Sequence, residues 1–261
     1  GEHGNVYSLR TTSGDVDLGP TSPIHVGTEM MKWFDQHVKG KDRGVKSGNL
    51  IRAFRIEGGE GIKNAAGNLQ AGGTWQEFTE WPPADSRPVS YYLSADRSLT
   101  TTTPLEGAFT YSHDPANPVP ALGGRVSSGL PVQAGPQDQR CRVELPHCDD
   151  NQPLRLRPDV LVFETPGLER DLEVSGPVVA RVWVSSSAVD TDFVVKLIDQ
   201  YPPSPDYPEG YAMNVAEGIV RARFRSFEQT DSSYRRAYAI KEEPLTPGEV
   251  YEVTIDLWSV S

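Results

Sequence analysis

Cysteine, methionine and histidine are scarce in this sequence, with two, three and five residues among 261. So few soft or imidazole ligands leave little from which to build a metal centre. The two cysteines, Cys141 and Cys148, flank His147 in a Cys-x5-His-Cys spacing that is not a usual zinc-ligand pattern. Long apolar runs are also missing. Mean hydropathy is −0.47, and no stretch approaches the roughly 20 residues a membrane-spanning helix needs. Positive charge is in deficit, with 25 Lys and Arg against 36 Asp and Glu, a net charge of −11 and a pI near 4.9. Nucleic acid and anionic membrane surfaces are therefore poor partners, because both would be repelled. There is no G-x-S-x-G elbow, no H-E-x-x-H, no P-loop and no G-x-G-x-x-G. No internal repeat is present, and Thr100–Thr103 is the only low-complexity tract.

Helix breakers, by contrast, are abundant: 24 Gly and 22 Pro are spread along the chain. They suit many short strands joined by turns and disfavour a helical bundle. Residues 1–25 read as irregular. One good helix follows, Gly27 to Lys39, with Met30, Phe34 and Val38 at helical spacing and Met31 and Trp33 beside them. Gly40 and Lys39 suit its C-terminal end, and the apolar stripe reads as core packing. Beyond Lys46 the period becomes two, as in Leu50, Arg52, Phe54, Ile56. The segment from Thr100 to Pro136 is too long for an ordinary hairpin loop. Strands are expected at Pro158–Phe163, Val178–Val184, Phe193–Ile198, Val220–Arg225 and Tyr251–Leu257. Alternating antiparallel strands with one wet face predict a two-sheet sandwich of jelly-roll type.

The residues alone supply no complete active site. His37 reads as a packed or surface residue on the helix, and His113 belongs to an Asp114-Pro115 turn. Asp190, Asp192, Asp199 and Asp206 match no calcium loop and read as strand ends and solvated faces. Arg221, Arg223 and Arg225 form a stripe expected to pair with nearby Asp and Glu. The Tyr201–Pro208 stretch reads as a stiff, exposed loop, with its two tyrosines either stacking on a sugar or acyl group or simply packing. Cys141 and Cys148 are either a disulfide, which indicates an oxidising compartment, or two unrelated thiols. His3, between Glu2 and Gly4, is a histidine near a terminus in a glycine-flanked loop.

Several segments together resemble one family. They are Tyr111-x-x-Asp114-Pro115-x-x-Pro118-Val119-Pro120 with Gly123-Gly124, Ala134-Gly135-Pro136-x-Asp138-Gln139-Arg140, and Arg157-Pro-Asp-Val-Leu-Val-Phe163. Asp171-Leu-Glu-Val-Ser-Gly-Pro177, Asp190-Thr-Asp-Phe193, Gly218–Arg225 and Pro247-Gly248-Glu249 through Leu257-Trp258 continue the series. Trp33-Phe-Asp-x-x-x-Lys-Gly40 precedes them all. In this order they are similar to the cocaine esterase and X-Pro dipeptidyl-peptidase (CocE/NonD) group of serine hydrolases, which includes the α-amino-acid ester hydrolases.

The resemblance implies a mainly β chain. Residues 46–261 are expected to form a C-terminal jelly-roll β-sandwich, galactose-binding-like. Residues 1–45 are expected to be the last loop and helix of an α/β-hydrolase domain. It also implies Ser-His-Asp cleavage of a small acyl ester, amide or peptide, with no cofactor and no metal. Glu2-His3-Gly4 takes the x-H-G positions of the family's histidine loop, so His3 is the candidate general base. Gly1 stands where that pattern has Trp. The nucleophile and triad Asp belong to upstream segments, making an N-terminal hydrolase domain the first expected partner, with a homo-oligomer a further one. The family also continues past the last segment matched here, so a longer natural protein with closing strands is expected. The competing reading is a non-catalytic carbohydrate-binding or oligomerisation module, with Tyr201, Tyr207 and Trp183 as sugar-stacking candidates.

Overall fold

The computed structural model describes residues 9–45, 50–125, 133–145, 147–148, 150–226 and 241–260. Among them are one α-helix and eleven strands, so the chain is mainly β. It divides into two compact units. The first comprises Gly1–Ser175, Asp199–Asn214 and Ser261, and the second Gly176–Ile198 and Val215–Val260.

In the first unit the strands are short. β1 (Thr12–Ser13) and β2 (Val16–Asp17) form a small antiparallel hairpin, followed by α1 (Val26–His37). β3 (Ile51–Ile56), β4 (Leu69–Gln70) and β5 (Gly73–Phe78) come next, with β3 antiparallel to β5 and β4 parallel to β2. β6 (Tyr92–Leu93) and β7 (Leu99–Thr100) make a last hairpin. The first 25 residues are thus not wholly irregular. Val16 is fully buried against Leu69, and that burial holds the hairpin in place although its sequence is mostly Gly, Ser, Thr and Asp. Gly14 is required at its turn. Its φ is +56°, and a β-carbon there would lie 2.2 Å from the Pro136 carbonyl oxygen.

Two small cores support this unit. One joins Val16, Leu69 and Ala71 to Tyr201, Tyr211 and Met213. The other gathers Leu122, Leu145 and Leu154 around a Cys141–Cys148 disulfide, whose Cα atoms are 5.0 Å apart. The strand expected at Pro158–Phe163 does not form. Arg157 binds both carboxylate oxygens of Asp159 at 2.8 Å and the Asn117 carbonyl at 2.7 Å, and Val160 N–H closes a turn onto Arg157 O. Those bonds occupy the start of the segment, and only Glu164 reaches a bridge, with Ser98.

The second unit has long strands: β8 (Gly176–Val184), β9 (Asp192–Tyr201), β10 (Tyr211–Arg221) and β11 (Tyr251–Val260), with the inner ends of β9 and β10 belonging to the first unit. β8 pairs antiparallel with β11, and β9 pairs with β10. Alternation decides which residues face inward. Val178, Ala180, Val182 and Val184 of β8 meet Val253, Ile255 and Leu257 of β11, and Phe193, Val195, Leu197, Ala216 and Val220 complete the same core. Each fully buried Val or Ile is worth about 1.5–3 kcal/mol. Gly218 lets β10 approach β11, since a β-carbon there would stand 2.3 Å from Asp256 O. Of the strand expected at Val220–Arg225 only Val220 and Arg221 are strand, as the end of β10, which begins nine residues earlier at Tyr211. A 3-10 turn, Ala222–Phe224, follows, with Ala222 N–H bonded to Thr191 O at 2.8 Å.

Candidate functional site

His3 lies outside the described residues. Of the other histidines, His37 packs its ring on Trp33, 4.8 Å between centroids, and His113 is exposed beside a turn closed by Asn117 N–H on Asp114 O at 3.0 Å. His25 precedes α1 without a side-chain cap, and His147 has a left-handed φ of 60° in the disulfide loop. Among the described residues no histidine side chain is hydrogen-bonded to a serine or a carboxylate, so none of these histidines belongs to a triad formed by described residues. No group of three or more His, Cys, Asp or Glu able to hold a metal occurs among them either.

What the first unit does present is a set of anchors around the segment that follows His3. Asp15 N–H donates to Pro136 O at 2.9 Å, and Arg142 Nη1 lies 3.1 Å from both Asp15 carboxylate oxygens. Arg142 Nη2 donates to Gln137 Oε1 at 2.7 Å. Sequence reading missed this clamp. Asp15 and Arg142 are 127 positions apart, and nothing in their local patterns marks them as partners.

α1 contradicts the core-packing reading of its stripe. Met30, Met31, Trp33, Phe34 and Val38 are 45–69% exposed, and the one buried residue of the helix is Asp35. The polar side is held by the chain that follows it. Asp35 accepts from Lys39 Nζ at 2.8 Å and from Arg43 Nε and Nη2 at 2.9 and 2.7 Å. Gln36 bonds the backbone of Arg43 and Val45. The hydrogen bonds from Lys39 and then Arg43 outweigh burial and hold the Asp35 carboxyl at about 2, well below the usual carboxylate range. The helix therefore spends its polar face on its own linker and turns its apolar face outward.

The tyrosine loop is packed, which removes the sugar-stacking alternative for Tyr201. Tyr201 is 6% exposed, and its hydroxyl donates to Gly58 O. Ser204 Oγ donates to Gly61 O at 2.6 Å, and Lys63 Nζ sits 4.5 Å over the Tyr207 ring. Tyr201 and Tyr207 both meet Tyr211 edge to face. Burial pushes the Tyr207 hydroxyl up to about 12, with the Asp138, Asp15 and Asp206 charges adding to the shift. Phenols held neutral in this way pack and do not act as bases at neutral pH.

In the second unit the arginine stripe pairs as its sequence suggests. Arg221 binds Asp192 through two bonds of 2.9 Å, and Arg223 takes Asp190 through its backbone N–H at 3.0 Å and its Nε at 2.6 Å. Burial opposes the Asp190 charge, but the bonds from Arg223 overcome it and leave that carboxyl below its ordinary value. Trp183 is 65% exposed on the outer face of β8, opposite Glu252.

Residues 46–261 match the family described as the X-Pro dipeptidyl-peptidase C-terminal non-catalytic domain. The chain is 32% identical to cocaine esterase of Rhodococcus sp. (strain MB1 Bresler) over 272 aligned residues, covering 99% of this chain and 39% of that protein. An aminopeptidase structure from a marine sediment Thaumarchaeota archaeon superposes with a TM-score of 0.61 at 28% identity, covering 89% of this chain and 33% of the other. A selenomethionine-labelled α-amino acid ester hydrolase shares the fold, with a TM-score of 0.61 at 22% identity over 99% of this chain and 38% of that one. The chain thus spans about two fifths of the length of the esterase it matches.

Proposed function

The chain belongs to the X-Pro dipeptidyl-peptidase C-terminal non-catalytic domain family, and from that premise we propose that it is the C-terminal part of a serine hydrolase cleaving acyl esters or amides. One observation carries the reading. The likeness to an esterase covers 99% of the chain, so it extends past the non-catalytic domain at 46–261 into the segment holding His3 and α1. Residues 1–45 are then the end of the hydrolase domain, and 46–261 its β appendage of jelly-roll type.

In this reading the nucleophilic serine and the orienting aspartate lie upstream. His3 takes the serine proton as the acyl bond is attacked, then delivers it to the leaving alcohol or amine. No cofactor enters the scheme. The uncovered face of α1 supports it, because Met30, Met31, Trp33, Phe34 and Val38 form the kind of stripe a hydrolase body would bury. A fluorophosphonate probe tests the proposal. The 261-residue chain is expected to stay unlabelled, and the polypeptide carrying the upstream segment to be labelled on serine. His3→Ala in that longer polypeptide is expected to lower kcat by at least about 10³. Turnover unaffected by this change would remove His3 from the mechanism.

A second reading rests on Trp183. Its exposed ring beside Glu252 and Arg181 offers a stacking surface with polar flanks, as a carbohydrate-binding module would. Glycan-array binding lost in Trp183→Ala supports it; an empty array removes it.

A further inference from the structure

We propose that the β6–β7 hairpin, with Leu105 and Arg97 beside it, is the surface on which the upstream part of the same polypeptide docks. The proposal rests on the reading of this chain as the C-terminal part of a longer protein, and it names a place, apart in sequence from α1, where that part is held.

The hairpin holds its shape through its backbone. Its turn is closed by Ser94 N–H on Ser98 O at 3.0 Å and Arg97 N–H on Ser94 O at 2.9 Å, and Asp96 accepts from both the backbone and the hydroxyl of Ser98. The returning chain braces the turn: Ala95 N–H donates to Leu105 O and Leu105 N–H to Ser94 Oγ, both at 3.0 Å. The far edge of β7 is also taken up. Leu99 N–H donates to Glu164 O at 2.8 Å, and Glu164 N–H to Arg97 O at 3.1 Å. The apolar side chains, however, are left uncovered. Val89, Tyr91, Tyr92, Leu93 and Leu105 are 39–63% exposed. Tyr92 and Leu93 adjoin on one strand and so point to opposite faces, which leaves β6 with no packed face. A two-stranded ribbon in that state is marginal in water and needs a further layer.

Arg97 adds a charge to this apolar surface. Its guanidinium lies 4.0 Å from the centre of the Phe109 ring and 5.8 Å from that of Phe163, and the two rings meet edge to face at 5.5 Å. Among the described residues no carboxylate pairs with it. Tyrosine and arginine are the residues that carry much of the binding energy at interfaces, and a preformed surface is bound at little ordering cost. The size of the surface selects the occupant. A stable contact between free proteins takes roughly 20–30 residues a side, and far fewer are gathered here. A tethered partner needs less, because the linkage itself supplies a high effective concentration. The esterase likeness uses 39% of that protein, so most of its length has no counterpart here, and the matched family is a C-terminal domain. The occupant is therefore the part that precedes this chain, offering an apolar face with a carboxylate for Arg97.

Hydroxyl-radical footprinting of the 261-residue chain and of the polypeptide carrying the upstream segment tests the proposal. Tyr91, Tyr92, Leu93 and Leu105 are expected to be modified about fivefold more slowly in the longer polypeptide, at every dilution, since a packed interface core excludes water. Equal rates in the two overturn the proposal. Protection in the 261-residue chain that grows with its concentration overturns the assigned occupant, because a second copy then covers the hairpin. In the longer polypeptide, Leu93→Ser is expected to return most of the lost reactivity to Tyr91 and Tyr92. Arg97→Gln is expected to return part of it, and Arg97→Lys, which keeps the charge, less. Full protection in the Leu93→Ser/Arg97→Gln polypeptide overturns the docking role of these side chains. Fluorophosphonate labelling separates this test from the hydrolase reading. A labelled polypeptide with an unprotected hairpin overturns the docking surface alone, and a protected hairpin in an unlabelled polypeptide overturns the hydrolase reading alone.

Discussion

α1 and β11 carry equally clear periodic patterns, yet one presents its apolar face to solvent and the other buries it. Met30, Phe34 and Val38 recur at helical spacing, and Val253, Ile255 and Leu257 alternate as strand residues do. In β11 those side chains are buried against β8, β9 and β10, while the α1 residues stand about half exposed or more. Periodicity states which side chains share a face. It does not state whether the same chain covers that face. The acid–base pattern of α1 held the missing signal: Asp35, Lys39 and Arg43 tie the polar side of the helix to its own linker, so the apolar side has no room left to turn inward.

The largest effect that sharpens this contrast lies in β11. Ile255→Ala removes a fully buried side chain from the shared core of the second unit. A loss of about 2–5 kcal/mol is expected, because transfer and cavity costs add. Urea denaturation reads it as a lower midpoint at constant slope. A loss below about 1 kcal/mol would mean that this core is not where the unit's stability resides. Gly218→Ala comes next. The new methyl group meets the Asp256 backbone carbonyl rather than a flexible side-chain end, so the two strands must separate. About 1–3 kcal/mol is expected to be lost, read in the same titration. An unaltered midpoint would show that β10 and β11 do not approach so closely.

How much was legible in the sequence follows the same division. β8, β9 and β11 announced themselves through Val, Ile and Phe alternation, whereas β10 was legible only at its last two residues, Val220 and Arg221; the arginine stripe found Asp190 and Asp192 as expected. The first unit was poorly legible because its order comes from contacts distant in sequence. Val16 pairs with Leu69, Asp15 with Arg142 and Tyr201 with Gly58. None of these contacts leaves a local period. Pro158–Phe163 shows the opposite error: its apolar residues suited a strand, but the Arg157–Asp159 turn claimed its start. The segments that carry the family likeness were readable as a series, whereas His3, the residue of most chemical interest, owes its assignment to that likeness and not to any geometry. The sequence leaves the disulfide open because a separation of seven positions permits a bridge without requiring one, and burial of both cysteines beside Leu122 and Leu154 is visible only in three dimensions.

Acid offers a smaller, selective way to separate the two regions. The Asp35 carboxyl is depressed to about 2 from an ordinary 3.8 by the hydrogen bonds from Lys39 and Arg43. A depressed carboxylate contributes stability that is present above its unfolded value and lost as pH falls through its folded one. The α1 linker is therefore expected to loosen between about pH 4 and pH 2, while the β8–β11 pairing, which does not depend on Asp35, holds through that window. Backbone chemical shifts of Met30–Lys39 followed by NMR from pH 5 to 2 check this. Asp35→Asn should show the loosened shifts already at neutral pH and no further change on acidification. A wild-type helix unchanged at pH 2 would mean that Asp35 does not hold the linker.

The smallest effect is the most telling for function. Trp33→Ala and Phe34→Ala delete large side chains, and in a buried core each would cost about 3–5 kcal/mol. In the 261-residue chain both are about half exposed, and among the described residues the Trp33 ring meets the rings of Phe34 and His37. Changes within about 0.5 kcal/mol are therefore expected, as for surface positions generally. In the polypeptide that includes the upstream segment, the same substitutions are expected to destabilise by the full core amount, because the proposed hydrolase body would cover the stripe. The difference between the two measurements is the quantity of interest. A core-sized loss in the short chain would show that α1 already packs within it, and a null result in both would show that nothing in the longer protein uses this face.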